Sequence, residues 1–199
     1  MSQPATHLAP EADALLRFWF GTADAVRAEW FSKNDAFDAE IDRRFGAEIE
    51  AALKGRLDHW QASADGSVAL IILLDQFTRN VFRGKPRAFA GDARALALAR
   101  RMVADGRDQA LSQLQRSFAY LPFEHAEDLA AQDESVRLFS ALAGEGGAHA
   151  QALREALDYA ERYREIIRRY GRFAHRNAVL GRASTADEIE FLKQPGLGF

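Results

Sequence analysis

Apolar positions recur at helical spacing through nearly all of this chain. Phe37, Ile41, Phe45, Ile49 and Leu53 stand four apart, which predicts one buried stripe on a helix that Asn34 or Asp35 can cap and Gly55 can end. Leu96, Ala99 and Val103 predict a helix over 92–106, with Asp92 as its expected cap. Leu111, Leu114 and Phe118 predict another that breaks before Pro122. Pro122 then suits the first position of a helix carrying Phe123, Leu129, Val136, Phe139 and Leu142, ending in the glycines of 144–147. Leu153, Leu157, Ala160, Tyr163, Ile166 and Ile167 mark a long helix over 148–170, stopped by Gly171. Thr185 with Glu188 fits a capping box for a last short helix. Near the start, a helix over 11–20 ends in Phe18, Trp19 and Phe20; Trp30 and Phe31 follow, and all five aromatics are expected against the core. No run alternates with period two. The fold class is therefore all-α: one compact domain of about eight helices over 11–199, with a flexible lead-in over 1–10 and a short tail from 195.

One stretch departs from simple amphipathicity. Val68 to Leu74 is the most continuous apolar run, and it passes without a break residue into Asp75, Gln76, Arg79, Asn80 and Arg83. On a helix, capped by Asp65 or Ser67 and reaching about Asn80, Asp75, Arg79 and Arg83 share one stripe and Gln76 and Asn80 the next. A helix that begins as core and ends as a dense polar cluster delivers that cluster to a defined place. Two further clusters compete with it. One is Glu124, His125, Glu127 and Asp128, in the first turn after Pro122, where the helix dipole favours acids; the other is Arg172, His175, Arg176 and Asn177, in the loop after Gly171.

Composition narrows the chemistry. A length of 199 residues suits one domain, and a net charge of −3 gives no global field toward nucleic acid or membrane. Charge is uneven, however: 162–182 holds seven arginines and one acid, and 124–134 holds five acids and no lysine or arginine, so the two segments can neutralise each other. The absence of cysteine excludes disulfides, thiolate metal sites and a cysteine nucleophile, and fits a cytoplasmic location. The first residues lack the basic start and apolar centre of a signal peptide, and no apolar run approaches the ~20 residues of a membrane span. Glu-x-x-His and His-Glu-x-x-His are both absent, as are a Gly-x-Ser-x-Gly elbow and a phosphate-binding glycine loop, so neither metal nor cofactor is expected.

Three roles remain open for the polar clusters. Asp75, Gln76, Arg79, Asn80, Glu124, His125, Arg172, His175, Arg176 and Asn177 can line a cleft for a small anionic ligand or an acidic peptide end. They can instead serve a metal-independent enzyme, with His125 or His175 as general base, Glu124 as its orienter, and Arg79 or Arg176 holding an oxyanion. Or they form an internal ion-pair network in a scaffold. The loop carrying Arg172, Arg176 and Arg182 and no acid is expected to fold back over the end of the 70–83 helix, toward carboxylates. Oligomeric state is not legible.

LLDQFTRNVFRG, YLPFEHAED and GRFAHRNAVLGRAST resemble the bacterial family named domain of unknown function 924, over nearly the whole chain from Phe18 to Glu190. The resemblance implies an all-α, tetratricopeptide-like fold without an established activity. It agrees with the helix–turn–helix length of 92–120, close to one tetratricopeptide unit. The family's recurrent polar positions fall on Asp75, Gln76, Arg79, Asn80, Glu124, His125, His175, Arg176 and Asn177. This chain departs from that pattern at Thr78 and Ala174, where proline is usual, and at Tyr163, where histidine is usual.

Overall fold

The structure is a computed structural model, and it describes residues 8–22 and 25–194. Most of the expected lead-in and all of the expected tail lie outside the described residues. Within them every regular element is helical: α1 (Pro10–Phe20), α2 (Asp35–Leu53), α3 (Ala64–Ile71), a π-helical stretch (Ile72–Phe77), α4 (Thr78–Val81), α5 (Asp92–Ala104), α6 (Gln113–Glu124), α7 (Leu129–Gly144), α8 (Ala150–Tyr170) and α9 (Ala186–Phe191). Short 3-10 turns link several of them. Because α3, the π stretch and α4 run on without interruption, the described chain makes eight helical rods in one compact all-α domain.

The α3–π–α4 rod is the axis of the packing. Val68, Ala69, Leu70, Ile71, Ile72 and Leu73 have no exposed surface at all and Leu74 only 1%, since α1, α2, α5 and α6 all pack against this rod. A helix apolar all round can be stable only when enclosed in this way, each fully buried Leu or Ile contributing roughly 1.5–3 kcal/mol. Trp19, Phe77 and Phe118 meet edge-to-face next to Phe18, Phe37 and Phe45, so most of the aromatics near the N-terminus join this core. Phe31 does not: it is 75% exposed, against the expectation from its neighbour Trp30. α6, α7 and α8 pack together beyond the axis, and Tyr163, Ile166, Ile167 and Phe173 form a second, smaller core.

Several local expectations change, each for a physical reason. Ser63, not Asp65 or Ser67, caps α3, its hydroxyl accepting the Gly66 N–H at 3.1 Å. Asp92 is not a cap either; Gly91 stands there, and the Asp92 carboxylate is drawn off by arginines. On α5 the buried face is Ala95, Leu98, Ala99 and Met102, one position round from the predicted stripe. Pro122 lies inside α6 rather than opening a helix. A Ser112–Gln115 capping box starts α6, and burial of Leu114, Phe118, Ala119 and Phe123 carries it through the proline, whose missing N–H falls in the last turn. The next helix begins at Leu129, with the Asp128 side chain accepting the Ala130 N–H at 3.0 Å. Glu124 and His125 thus stand at the C-terminal end of a helix, where the dipole no longer favours an acid.

The π stretch was not legible in the periodicity. Its wider turn leaves carbonyls that side chains take up: Thr78 Oγ1 donates to the Leu74 carbonyl at 2.8 Å and Arg79 Nη1 to that of Asp75 at 2.7 Å. Gly91 packs on the same spot, and a Cβ there would stand 2.1 Å from the Leu74 oxygen. Its φ of −92° is open to any residue, so space rather than backbone freedom requires glycine. Gly91→Ala is therefore expected to destabilise by about 1–3 kcal/mol through overpacking. Gly46→Ala, at a half-buried position of α2 where the nearest atom is the flexible end of Asp42, should gain up to about 1 kcal/mol. Urea unfolding of both variants checks the pair, and equal effects would show that the Gly91 contact is soft.

Candidate functional site

The centre of the polar cluster is Asp75, placed by the π stretch with no exposed surface. Three donors converge on its carboxylate. His125 Nδ1, from the end of α6, donates to Oδ1 at 2.8 Å and Oδ2 at 3.0 Å; Gln76 Nε2 donates to Oδ2 at 2.5 Å; Arg79 Nη1 lies 3.1 Å from Oδ1. Burial alone would raise the Asp75 pKa, but the Arg79 charge and the hydrogen bonds from His125 and Gln76 hold it well below the usual carboxylate range, so it is ionised. Burial depresses the His125 pKa, Asp75 opposes that and Arg79 and Arg176 reinforce it; the net direction is down. A neutral His125 whose Nδ1–H is committed to a carboxylate carries its lone pair on Nε2. The ring is 14% exposed, and Nε2 makes no hydrogen bond among the described residues.

Arg79 links this centre to Asp92, at the first turn of α5, by a bidentate pair of 2.8 and 2.9 Å. Arg176, from the loop after α8, comes to the same carboxylate but only to 3.5 Å. Its guanidinium stands over the Phe173 ring at 4.5 Å and the Phe89 ring at 4.8 Å, its side chain is 8% exposed, and its buried Nε has no hydrogen-bond partner among the described residues. Burial and the nearby Arg79 charge push its pKa down to about 10. The other described arginines with a resolved shift all move up, each beside a firm carboxylate partner. Asp92 and Phe89 were missed by the sequence reading, because a single acid opening a helix and a phenylalanine in a turn carry no signal of the arginines that reach them from α4 and from residue 176.

Three more ionisable groups close the cluster. Glu124 is 5% exposed, and burial and then the Asp75 carboxylate raise its pKa to about 8, with no cation or hydrogen bond among the described residues opposing them. It is protonated at neutral pH and does not orient His125; Asp75 does. Burial and the Arg176 charge lower His175 to about 4. Tyr163, from α8, is raised by burial and by Glu124 and stays protonated. The His175 ring lies 5.6 Å from that of Phe173.

The remaining sequence candidates go elsewhere. Asn80 Nδ2 donates to Asp38 at 2.6 Å and Arg83 pairs with the same carboxylate, tying α4 to α2. Arg172 meets Glu188 at 2.7 and 2.8 Å, and Asn177 donates to Ser184 and accepts from Arg182, so these two hold α9 and the loop. Glu127 anchors the same loop through Arg182 and the Phe173 N–H. The loop thus docks on the α6–α7 connection and reaches Asp92 through Arg176. Among the described residues no group of three His, Asp or Glu forms a metal-ligand set. Two surface depressions, of about 430 and 370 Å³, lie away from this cluster, the first beside α1 and Ser112, the second between α5 and α7.

Glu124 gives a pH signature. Its folded pKa of about 8 exceeds the ordinary 4.5, so the folded state keeps a proton that the unfolded chain releases, and stability falls as pH rises through that window. Glu124→Gln removes this dependence. Relative to the parent, the variant should gain on the order of a few kcal/mol on going from pH 5 to pH 9 in urea unfolding. A stability difference unchanged between the two pH values would mean Glu124 ionises normally. Comparison with the parent cancels the opposite trend from His175, whose lowered pKa costs stability as pH falls from 6.5 toward 4.

Comparison with other proteins agrees with this architecture. A solved structure of a protein of unknown function from Agrobacterium tumefaciens superposes with a TM-score of 0.81 at 40% sequence identity, covering 92% of this chain and 96% of that one. Among curated proteins none matches. The family model described as bacterial protein of unknown function (DUF924) matches residues 15–196, and the chain belongs to that family.

Proposed function

We propose that this protein is a helical binding module whose Asp75–His125–Arg176 cluster takes a small anionic ligand or the acidic end of a peptide. One observation carries the reading: Arg176 is buried, and among the described residues its ion partner Asp92 comes no closer than 3.5 Å and its Nε lacks an acceptor. A buried guanidinium left this poorly compensated is costly to stability, and such a cost is commonly kept at a functional site. An incoming carboxylate or phosphate oxygen supplies the missing acceptor. Arg79, by contrast, is fully engaged by Asp75 and Asp92 and acts as the brace of the site. The cytoplasmic location, and a tetratricopeptide-like pairing of α5 with α6, belong to the same reading; the side-by-side packing of those two helices supports the pairing.

A second reading is favoured by the Asp75–His125 pair. Fixing Nδ1 on a buried carboxylate and leaving a lone pair on Nε2 is how a general base is oriented. On that reading His125, rather than His175, is the base and Asp75 its orienting group.

Arg176→Met keeps much of the packing against Phe89 and Phe173 while removing the charge. The expected result is a stability within about 1 kcal/mol of the parent, or higher, together with loss of the thermal shift given by small carboxylates or phosphate. A strongly destabilised Arg176→Met variant, in a parent that no anion stabilises, would assign Arg176 to a purely structural network and sink the binding reading.

A further inference from the structure

We infer that the ligand is a small carboxylate that carries its own O–H or N–H donor, with the acid group on the edge of Arg176 and the donor on Nε2 of His125, and that sulfate, a dianion with acceptors alone, is excluded. This rests on the anion reading above and specifies its ligand class.

The donor and acceptor inventory leads to it. Arg176 can only donate, and the Phe89 and Phe173 rings flank its guanidinium, so what it offers is the N–H edge that includes the unpartnered Nε. A planar carboxylate matches such an edge with parallel hydrogen bonds. His125 offers the opposite. Asp75 is held as a carboxylate by Arg79 and Gln76, so the atom between it and the ring, Nδ1, must be the donor. Nε2 is then an acceptor, and only a group bearing a proton can satisfy it. A ligand with acceptors alone would meet that lone pair with its own.

Charge selects in the same direction. From the π stretch and α5 the site receives two carboxylates, Asp75 and Asp92, and from α4 and the loop after α8 two guanidiniums, Arg79 and Arg176. Those four charges balance. Glu124 on α6 and Tyr163 on α8 face the cluster in their protonated forms, and His175 in its neutral form. Glu127, beyond Arg176, is matched by Arg182. A monoanion or a zwitterion can enter this balanced field beside Arg176. A sulfate dianion brings a second negative charge against Asp75 and Asp92, with no free cation among the described residues of the cluster to meet it.

Isothermal titration at pH 7 with acetate, glycolate, glycine and sulfate tests the inference on the full chain. Glycolate or glycine should bind about fivefold to tenfold more tightly than acetate, the worth of one hydrogen bond, and sulfate should give no heat. His125→Asn retains an amide that can meet Asp75 and has nothing in place of Nε2, so the preference should shrink to within about twofold. A second measurement does not depend on a variant: the 15N resonance of His125 Nε2 should move on adding glycolate or glycine and stay in place with acetate. Sulfate binding with the carboxylates silent, or equal binding of acetate and glycolate with a stationary Nε2 signal, overturns this inference and leaves the anion reading standing. Silence of all four probes, in titration and in the spectrum, removes both.

Discussion

A carboxylate with no exposed surface must be compensated where it stands, and Asp75 sets that requirement for half the molecule. Its solvation is replaced by an imidazole from the end of α6, an amide from its own neighbour and a guanidinium one turn on. Each of those groups then has to be held. Arg79 is held by Asp92, which brings the start of α5 against the rod, and this approach is close enough that only glycine fits at position 91. His125 is held by the end of α6, which is why that helix has to continue through Pro122. The cluster thus explains local irregularities that propensity alone would not allow.

The π-helical stretch is the point where core and cluster meet. Val68 to Leu74 fills the centre of the domain, and the wide turn that follows takes Asp75 inside while Gln76 and Arg79 remain half-buried. Its loose carbonyls are closed by Thr78 and Arg79, so one arginine serves backbone, Asp75 and Asp92 together. Arg176 has no such saturation. The contrast between two arginines a few ångströms from the same carboxylate separates the part of the network that holds the fold from the part with an unmet hydrogen-bonding need.

The protonation pattern follows from the same geometry. Asp75 and Glu124 are both buried acids, yet their pKa values move in opposite directions, because Asp75 takes the available cation and imidazole and Glu124 is left facing its charge. His125 and His175 both stay neutral under burial and neighbouring arginines. At neutral pH the cluster therefore contains carboxylate, carboxylic acid, imidazole and guanidinium together, a range of hydrogen-bonding character that few neighbouring side chains can offer.

Much of this was fixed by local order in the chain. Stripes such as Ile41, Phe45 and Ile49 determine helices through the 3.6-residue period, the caps at Asn34 and Thr185 set their ends, and the wholly apolar run at 68–74 marks the axis, because these are properties of neighbours in sequence. The same run, changing to Asp75 and Arg79, pointed to the centre of the polar cluster. What the sequence could not decide was the partnership of groups far apart along it. Asp92 read as a helix cap until Arg79 and Arg176 were seen to claim it; Asn80, Arg172 and Asn177 read as neighbours of Asp75 until Asp38 and Glu188 were found within their reach; Pro122 read as a boundary until burial of α6 outweighed it. Ion pairing and burial depend on which distant residues the fold brings within a few ångströms, and only the packed structure sets those distances.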